Sequence, residues 1–218
     1  SEKAIEWLKK AGKKAKTHFA NDEAIRYFEK VIEVIRKNGV KNAKNELCFS
    51  HEALGDIHSL KGEYKKAIEN YQKMSAIAGD EKITLVRSLC KIAGVYRNQD
   101  RYDDALRILN EAEQHITPVT SDAMVLESTD IHILRTRIYL IKGNMEDAIK
   151  EAMTALNMVE KLKIGEKKMK GNVFNNLGMI FYEKGEYDKA IELYQKSLAI
   201  SEETGDKRGI GGISGNLG

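Results

Sequence analysis

Apolar residues recur along the chain at spacings of three and four, as in Ile5, Leu8, Ala11, Gly12 and Ala15, and so fall on one stripe of an α-helix. Segments of this kind come in similar pairs. Near the middle the chain reads Leu54-Gly55-Asp56-Ile57-His58 and then Gly62-Glu63-Tyr64-Lys65-Lys66-Ala67-Ile68-Glu69-Asn70-Tyr71. Towards its end it reads Leu177-Gly178-Met179-Ile180-Phe181 and then Gly185-Glu186-Tyr187-Asp188-Lys189-Ala190-Ile191-Glu192-Leu193-Tyr194. In both copies a glycine precedes an alanine by twelve and an aromatic residue follows that alanine by four. The same offsets recover Gly12, Ala24 and Phe28, then Ala93, Ala105 and Leu109, then Thr136, Ala148 and Ala152. Five repeats result, their alanines separated by 43, 38, 43 and 42 residues. Each repeat predicts two antiparallel amphipathic helices that cross closely at the small residues, with Tyr71, Tyr96, Tyr139, Phe181 and Tyr194 filling the space beside them.

Turn chemistry divides the chain in the same way. Gly62, Gly143 and Gly185 stand where first helices should end in a left-handed residue, and Asp22, Asp103, Glu146 and Asp188 stand where carboxylates suit the start of second helices. Second helices are expected to run until Gly39, Gly79, Pro118, Gly165 and Gly205. The repeats are therefore placed at 1–39, 40–79, 80–118, 119–165 and 166–205, and 206–218 is read as the first helix of a sixth. Gly215-Asn216-Leu217-Gly218 repeats Asn176-Leu177-Gly178, so the sequence is expected to be a piece of a larger protein.

These residues resemble the tetratricopeptide repeat, a helix–turn–helix motif that places a large apolar residue, Leu, Gly or Ala, Tyr, Ala and an aromatic at set positions. The resemblance implies an all-α fold: a right-handed superhelical solenoid of antiparallel helix pairs, five repeats plus the start of a sixth. Repeats of 38 to 43 residues exceed the usual ~34, which lengthens each helix by roughly a turn. Lengthened repeats, and the run Ile200-Ser201-Glu202-Glu203-Thr204-Gly205-Asp206-Lys207-Arg208, are similar to those of kinesin light chain and Pins-type scaffolds. The stretch from Ala4 to Ala15 is similar to repeat regions of microbial signalling ATPases and cyclase-linked regulators.

Composition narrows the function. One proline, where about eleven would be ordinary at roughly 5% usage, suits long helices. Thirty-six basic residues against 33 acidic ones leave a net charge of +3, and acidic residues in every repeat argue against a nucleic-acid stripe. No apolar run has membrane-spanning length, no signal peptide is recognisable, and a cytoplasmic protein is expected. No phosphate-binding loop, zinc-protease or serine-hydrolase motif occurs, so no catalytic residue, cofactor or metal is assigned. Gly209-Ile210-Gly211-Gly212 lacks the strand and lysine of a phosphate cradle and is read as irregular chain or the start of a helix. His51 and His58 share a helical face, His132 occupies in the fourth repeat the place of His51, and all three are read as packing residues. Cys48 and Cys90 are read as buried small groups. Arg135 falls on an apolar stripe and should find a carboxylate, with Glu111, Glu113 or Asp130 as candidates, unless a shifted register returns it to water.

The inner wall of a curved array is lined by first helices. The resemblance maps its peptide groove onto Lys9, Lys13 and Lys16, then Glu52, Asp56 and Ser59, then Arg87, Lys91 and Arg97. It continues through Ile133, Arg137 and Leu140 to Asn172, Asn175, Asn176, Met179 and Tyr182. Lys9, Arg87 and Lys91 match the clamp that grips chaperone C-termini in some members, but Lys13 and Ala53 replace its asparagines. Asn175 and Asn176 resemble an asparagine ladder that holds an extended backbone. The leading reading is a non-catalytic interaction module for an extended, acidic segment or a partner domain, within a larger signalling or regulatory protein. The alternatives are the regulatory arm of an ATPase or nucleotide cyclase, and, for the lysines, a merely solvated helix face. An array cut inside a repeat would expose its apolar stripe, and the piece is expected to self-associate there.

Overall fold

The computed structural model describes residues 2–40, 43–161 and 167–217. Their secondary structure is helical throughout: α1 (Glu2–Thr17), α2 (Asn21–Lys37), α3 (Lys44–Leu60), α4 (Tyr64–Ala78), α5 (Lys82–Asn98), α6 (Tyr102–Ile116), α7 (Asp122–Ile141), α8 (Met145–Glu160), α9 (Lys167–Glu183), α10 (Tyr187–Thr204) and α11 (Lys207–Leu217). The chain forms two bodies, residues 1–115 and 116–218. In the first, α1 packs on α2, α2 on α3, α3 on α4 and α4 on α5, and the first helices α3 and α5 also touch. In the second, α7 to α11 pack consecutively in the same way, and α9 touches both α7 and α11.

One turn recurs five times. A three-residue link joins the helices of every repeat, and its middle residue is left-handed: Phe19 (φ 58°), Gly62 (73°), Asp100 (59°), Gly143 (73°) and Gly185 (75°). The residue after it donates its N–H to a carbonyl five positions back, as Glu63 does to His58 (2.9 Å), Arg101 to Tyr96 (2.9 Å) and Glu186 to Phe181 (2.9 Å). This Schellman geometry satisfies carbonyls that the helix end would otherwise orphan. The three glycines were expected there; Phe19 and Asp100 carry the same turn without glycine's freedom. The other end of the repeat differs from expectation at α8, which stops at Glu160. Gly165, where it was expected to stop, and the boundary drawn there lie outside the described residues.

The crossing of the paired helices rests on a trade of volumes. A Cβ on Gly55 would sit 2.4 Å from Tyr71 Cε1, one on Gly178 2.6 Å from Tyr194 Cε1, and one on Gly12 2.8 Å from Phe28 Cζ. The aromatic ring sixteen residues on fills the gap the glycine leaves. The equivalent pairs in the third and fourth repeats are Ala93 with Leu109 and Thr136 with Ala152, all buried, so the later residue shrinks as the earlier one grows. Tyr71, Phe28 and Tyr194 are buried and centre three local cores; Tyr194 shares its core with Ile213, which α11 lays over the fifth repeat. The Gly209–Gly212 segment is the opening of α11, where the Gly209 N–H donates to Asp206 Oδ1 (3.3 Å).

Several buried polar side chains are paired by hydrogen bonds. His51 and His132 are buried, and each hydrogen-bonds a residue nineteen positions later, Asn70 Oδ1 (2.9 Å) and Glu151 Oε2 respectively. Arg135 is buried with its guanidinium 3.9 Å from the same Glu151, a carboxylate of α8 that differs from the three candidates named from sequence. Cys48 is buried beside the Met74 carbonyl, and burial pushes its thiol up from the usual range. Cys90 is buried as well, and neither thiol forms a disulfide.

Two substitutions test this account. Gly55→Ala should cost about 1–3 kcal/mol through overpacking against Tyr71. Gly94→Ala, in mid-helix with nothing within 4 Å of its Cβ, should gain about 0.5–1 kcal/mol. Adding Tyr71→Leu to Gly55→Ala reproduces the combination at 93 and 109 and should recover part of the loss in urea denaturation. Separately, Phe19 is 71% exposed and left-handed, so Phe19→Gly should raise the melting temperature by relieving about 1 kcal/mol of backbone strain.

Candidate functional site

The first helices of the N-terminal body present a wall of charge in stripes. α1 contributes Lys9, Lys13 and Lys16; α3 contributes Glu46, Glu52 and Asp56; α5 contributes Arg87, Lys91 and Arg97. The helical period sets each trio on one side of its helix. Lys16 Nζ donates to Asp56 Oδ2 at 2.8 Å, and from the opposite flank Lys91 Nζ donates to Asp56 Oδ1 at 2.8 Å. Lys91 also lies 3.4 Å from Glu52, and Lys9 lies 3.5 Å from Glu46. Asp56 is completed by the Tyr71 hydroxyl, which donates to Oδ1 at 2.9 Å, so the ring that fills the Gly55 gap also ties the core to the wall.

Asp56 is the electrostatic centre of this array. Burial alone would push its carboxyl up, but the Lys91 and Lys16 ammoniums outweigh that and hold it below the usual carboxylate range. Burial likewise works against the Lys91 charge, and Asp56 and Glu52 overcome it and raise its pKa. Tyr71 is pushed up by burial first and by the Asp56 charge second. The N-terminal wall therefore alternates cations and carboxylates. Its carboxylates, supplied by the middle helix, neutralise part of both neighbours.

Phe49 is the feature that sequence reasoning missed. Its ring sits on α3 between the lysines of α1, with Lys13 Nζ 4.7 Å and Lys9 Nζ 5.3 Å from its centroid. Lys13 is exposed and, among the described residues, has no carboxylate partner. The signal that could have found these contacts is the repeat interval: Lys9–Glu46, Lys16–Asp56 and Asp56–Lys91 are 37, 40 and 35 residues apart, about one repeat each. Arg87 precedes Lys91 by one turn and is itself engaged, Ser59 is half-buried, and Arg97 Nη2 donates to Asn98 Oδ1 at 2.8 Å with burial lowering its pKa.

In the C-terminal body the mapped residues divide. Asn176 is only 1% exposed; its Oδ1 accepts from Arg137 Nε (3.0 Å) and its Nδ2 donates to the Ile133 carbonyl (3.4 Å). Its amide is thus spent joining α9 to α7, which removes it from an open asparagine ladder. Ile133 is buried and Leu140 packs on the same core. Asn175 is half-buried and its Oδ1 accepts from Asn216 Nδ2 at 3.2 Å, one amide contact between α9 and α11. Asn172 is half-buried beside it, Met179 packs on the core that holds Ile213, and Tyr182 is exposed with its ring edge-on to Tyr187.

Among the described residues no group of His, Cys, Asp and Glu could hold a metal ion, and no helix is long and apolar enough to cross a membrane. The sequence pattern of the tetratricopeptide repeat matches residues 46–116 and 135–203. The chain belongs to the tetratricopeptide repeat family, whose fold serves generally as a scaffold for protein–protein interaction. No curated protein matches the sequence. Several solved structures share the fold. The APC/C hetero-tetramer Cut9-Hcn1 matches with a TM-score of 0.65 and 18% identity over 91% of this chain and 33% of that one. BtubC (BKLC) from P. vanneervenii matches with 0.62 and 15% over 94% and 92%. PilF of Pseudomonas aeruginosa matches with 0.60 and 18% over 99% and 91%.

The Asp56 centre makes a pH-dependent contribution. Because its folded pKa is depressed, its stabilisation is complete above the unfolded value of about 4 and is lost as the pH falls through the folded value. Asp56→Asn should lower stability at pH 7 by about 1 kcal/mol, a figure discounted for partial exposure. The difference between variant and wild type should shrink towards zero in acid, as read by urea denaturation at pH 7 and pH 3.

Proposed function

We propose that this chain is a non-catalytic interaction module that holds an extended peptide or a partner domain against its wall of first helices, as part of a larger signalling or regulatory protein in the cytoplasm. The observation that carries the reading is the Lys9–Lys13–Phe49 cluster. Two ammoniums beside one aromatic ring, that of Lys13 with no carboxylate partner among the described residues, offer both charge and apolar surface to a passing chain. Six cations against three carboxylates leave the N-terminal wall with a positive excess, which favours an acidic segment. Two buried thiols, neither in a disulfide, suit a reducing compartment.

The test is binding of a fluorescent poly-glutamate peptide to wild type and to Lys9→Glu, Lys13→Glu and Lys91→Glu combined, with circular dichroism to check the fold. Binding should weaken by about tenfold or more, and its dependence on salt should flatten. Because Lys91 also anchors Asp56, the pair Lys9→Glu and Lys13→Glu is measured alongside and should retain most of the effect. Unchanged affinity and unchanged salt dependence in the folded variants would overturn the proposal.

A further inference from the structure

The Asp56 carboxylate has the contacts that a bound acidic ligand would seek. A carboxylate gripped between two ammoniums offers one oxygen to each, and Asp56 does so: Oδ2 accepts from Lys16 Nζ of α1 and Oδ1 from Lys91 Nζ of α5, both at 2.8 Å. The Tyr71 hydroxyl adds a third donor on Oδ1 at 2.9 Å. The side chains of Lys16, Asp56 and Lys91 are 32%, 24% and 33% exposed, so the cluster lies at the solvent face of the wall, within reach of a ligand group.

The wall thus holds two classes of cation. Lys16 and Lys91 are occupied, and Glu52 engages Lys91 further at 3.4 Å. Lys13, three residues before Lys16 on α1, is exposed, rests on the Phe49 ring at 4.7 Å and has no carboxylate partner among the described residues. The competition for the occupied pair is unequal. Asp56 is carried on α3 and held by a hydroxyl whose ring is buried against the adjacent Gly55, so it meets its cations without the loss of freedom that an arriving peptide must bear.

We propose that Asp56 is an intramolecular competitor of acidic partners, which occupies Lys16 and Lys91 and confines acidic peptides to the Lys9–Lys13–Phe49 edge. This inference rests on the reading of the wall as a peptide-binding surface and makes Asp56 a specificity determinant within it, a residue that rejects ligands attracted by charge alone. With an amide in its place, Glu52 engages Lys91 alone and Lys16 has no carboxylate, so the middle of the wall becomes a second site for an acidic group.

The experiment measures binding of the fluorescent poly-glutamate peptide to the full chain by anisotropy at low and moderate salt. It compares wild type with Asp56→Asn and with Glu33→Gln, which removes the same charge from α2, away from the first helices of the wall. Asp56→Asn should bind about tenfold more tightly and with steeper salt dependence, and Glu33→Gln should bind as wild type does. In the wild-type background Lys13→Gln should weaken binding more than Lys16→Gln, although each removes one positive charge; in the Asp56→Asn background the two should weaken it equally. Circular dichroism checks the fold of each variant, and the wild-type comparison of Lys13→Gln with Lys16→Gln tests the masking without altering Asp56. The proposal is overturned if folded Asp56→Asn binds no more tightly than wild type, if Glu33→Gln gains as much, or if Lys16→Gln costs wild type as much as Lys13→Gln. Failure of the peptide-binding reading looks different: wild type then does not bind poly-glutamate, and Asp56→Asn still decides the inference by acquiring binding or not.

Discussion

The structure depends on a constraint of volume at the crossing of two helices. One position of each first helix and the residue sixteen later share a fixed space, and the sequence fills it as Gly with Tyr or Phe, as Ala with Leu, or as Thr with Ala. Wherever glycine takes the small share, an aromatic ring occupies the space that a Cβ would need. Tyr71 shows what this makes possible. Buried over Gly55, its ring is rigid, and its hydroxyl is delivered to Asp56 at the surface. The charge pattern of the wall is therefore anchored in the core.

Much of this was legible in the sequence because the relevant spacings are short. Gly62, Gly143 and Gly185 advertise left-handed turns, and apolar residues at helical spacing mark segments such as α1. Phe19 and Asp100 were not legible as turn residues, since neither type signals a left-handed backbone; their position in the repeat, not their chemistry, imposes it. The ion pairs were hidden for a different reason. Lys16 and Asp56 are close because two repeats stack, and such a contact is visible in sequence only to a reader who searches at the repeat interval. Asn176 shows the converse: as a residue type in a matching position it suited the open groove, but packing turned its amide inward to Arg137 and the Ile133 carbonyl.

Partial neutralisation changes what the N-terminal wall can do. A row of bare lysines would attract any polyanion, with steep salt dependence and little discrimination. With Asp56 and Glu52 between them, Lys16 and Lys91 already have partners at 2.8 Å, and an incoming carboxylate must improve on those to gain anything. Selectivity shifts to the edge, where Lys13 rests on Phe49 and can exchange solvent for a ligand at little cost. On the proposed reading, such a wall would favour partners that combine acidic and apolar groups over partners that are merely acidic.

α3 carries the burden of both faces. Towards the wall it presents Phe49, Glu52 and Asp56, the two carboxylates matched from α1 and α5; on its opposite face it presents His51, Leu54 and His58, with Asn70 of α4 holding the His51 imidazole in place. The polar groups on the two faces are handled by opposite rules. On the wall, charge is kept and compensated by opposite charge, which the partial solvent exposure permits. On the opposite face, where burial is nearly complete, burial disfavours the charged imidazole of His51 and one hydrogen bond orients it. A single helix can obey both rules because its period separates the two sets by about a third of a turn or more. The Gly55–Tyr71 contact fixes the rotation of α3 against α4 and so keeps each set on its own side.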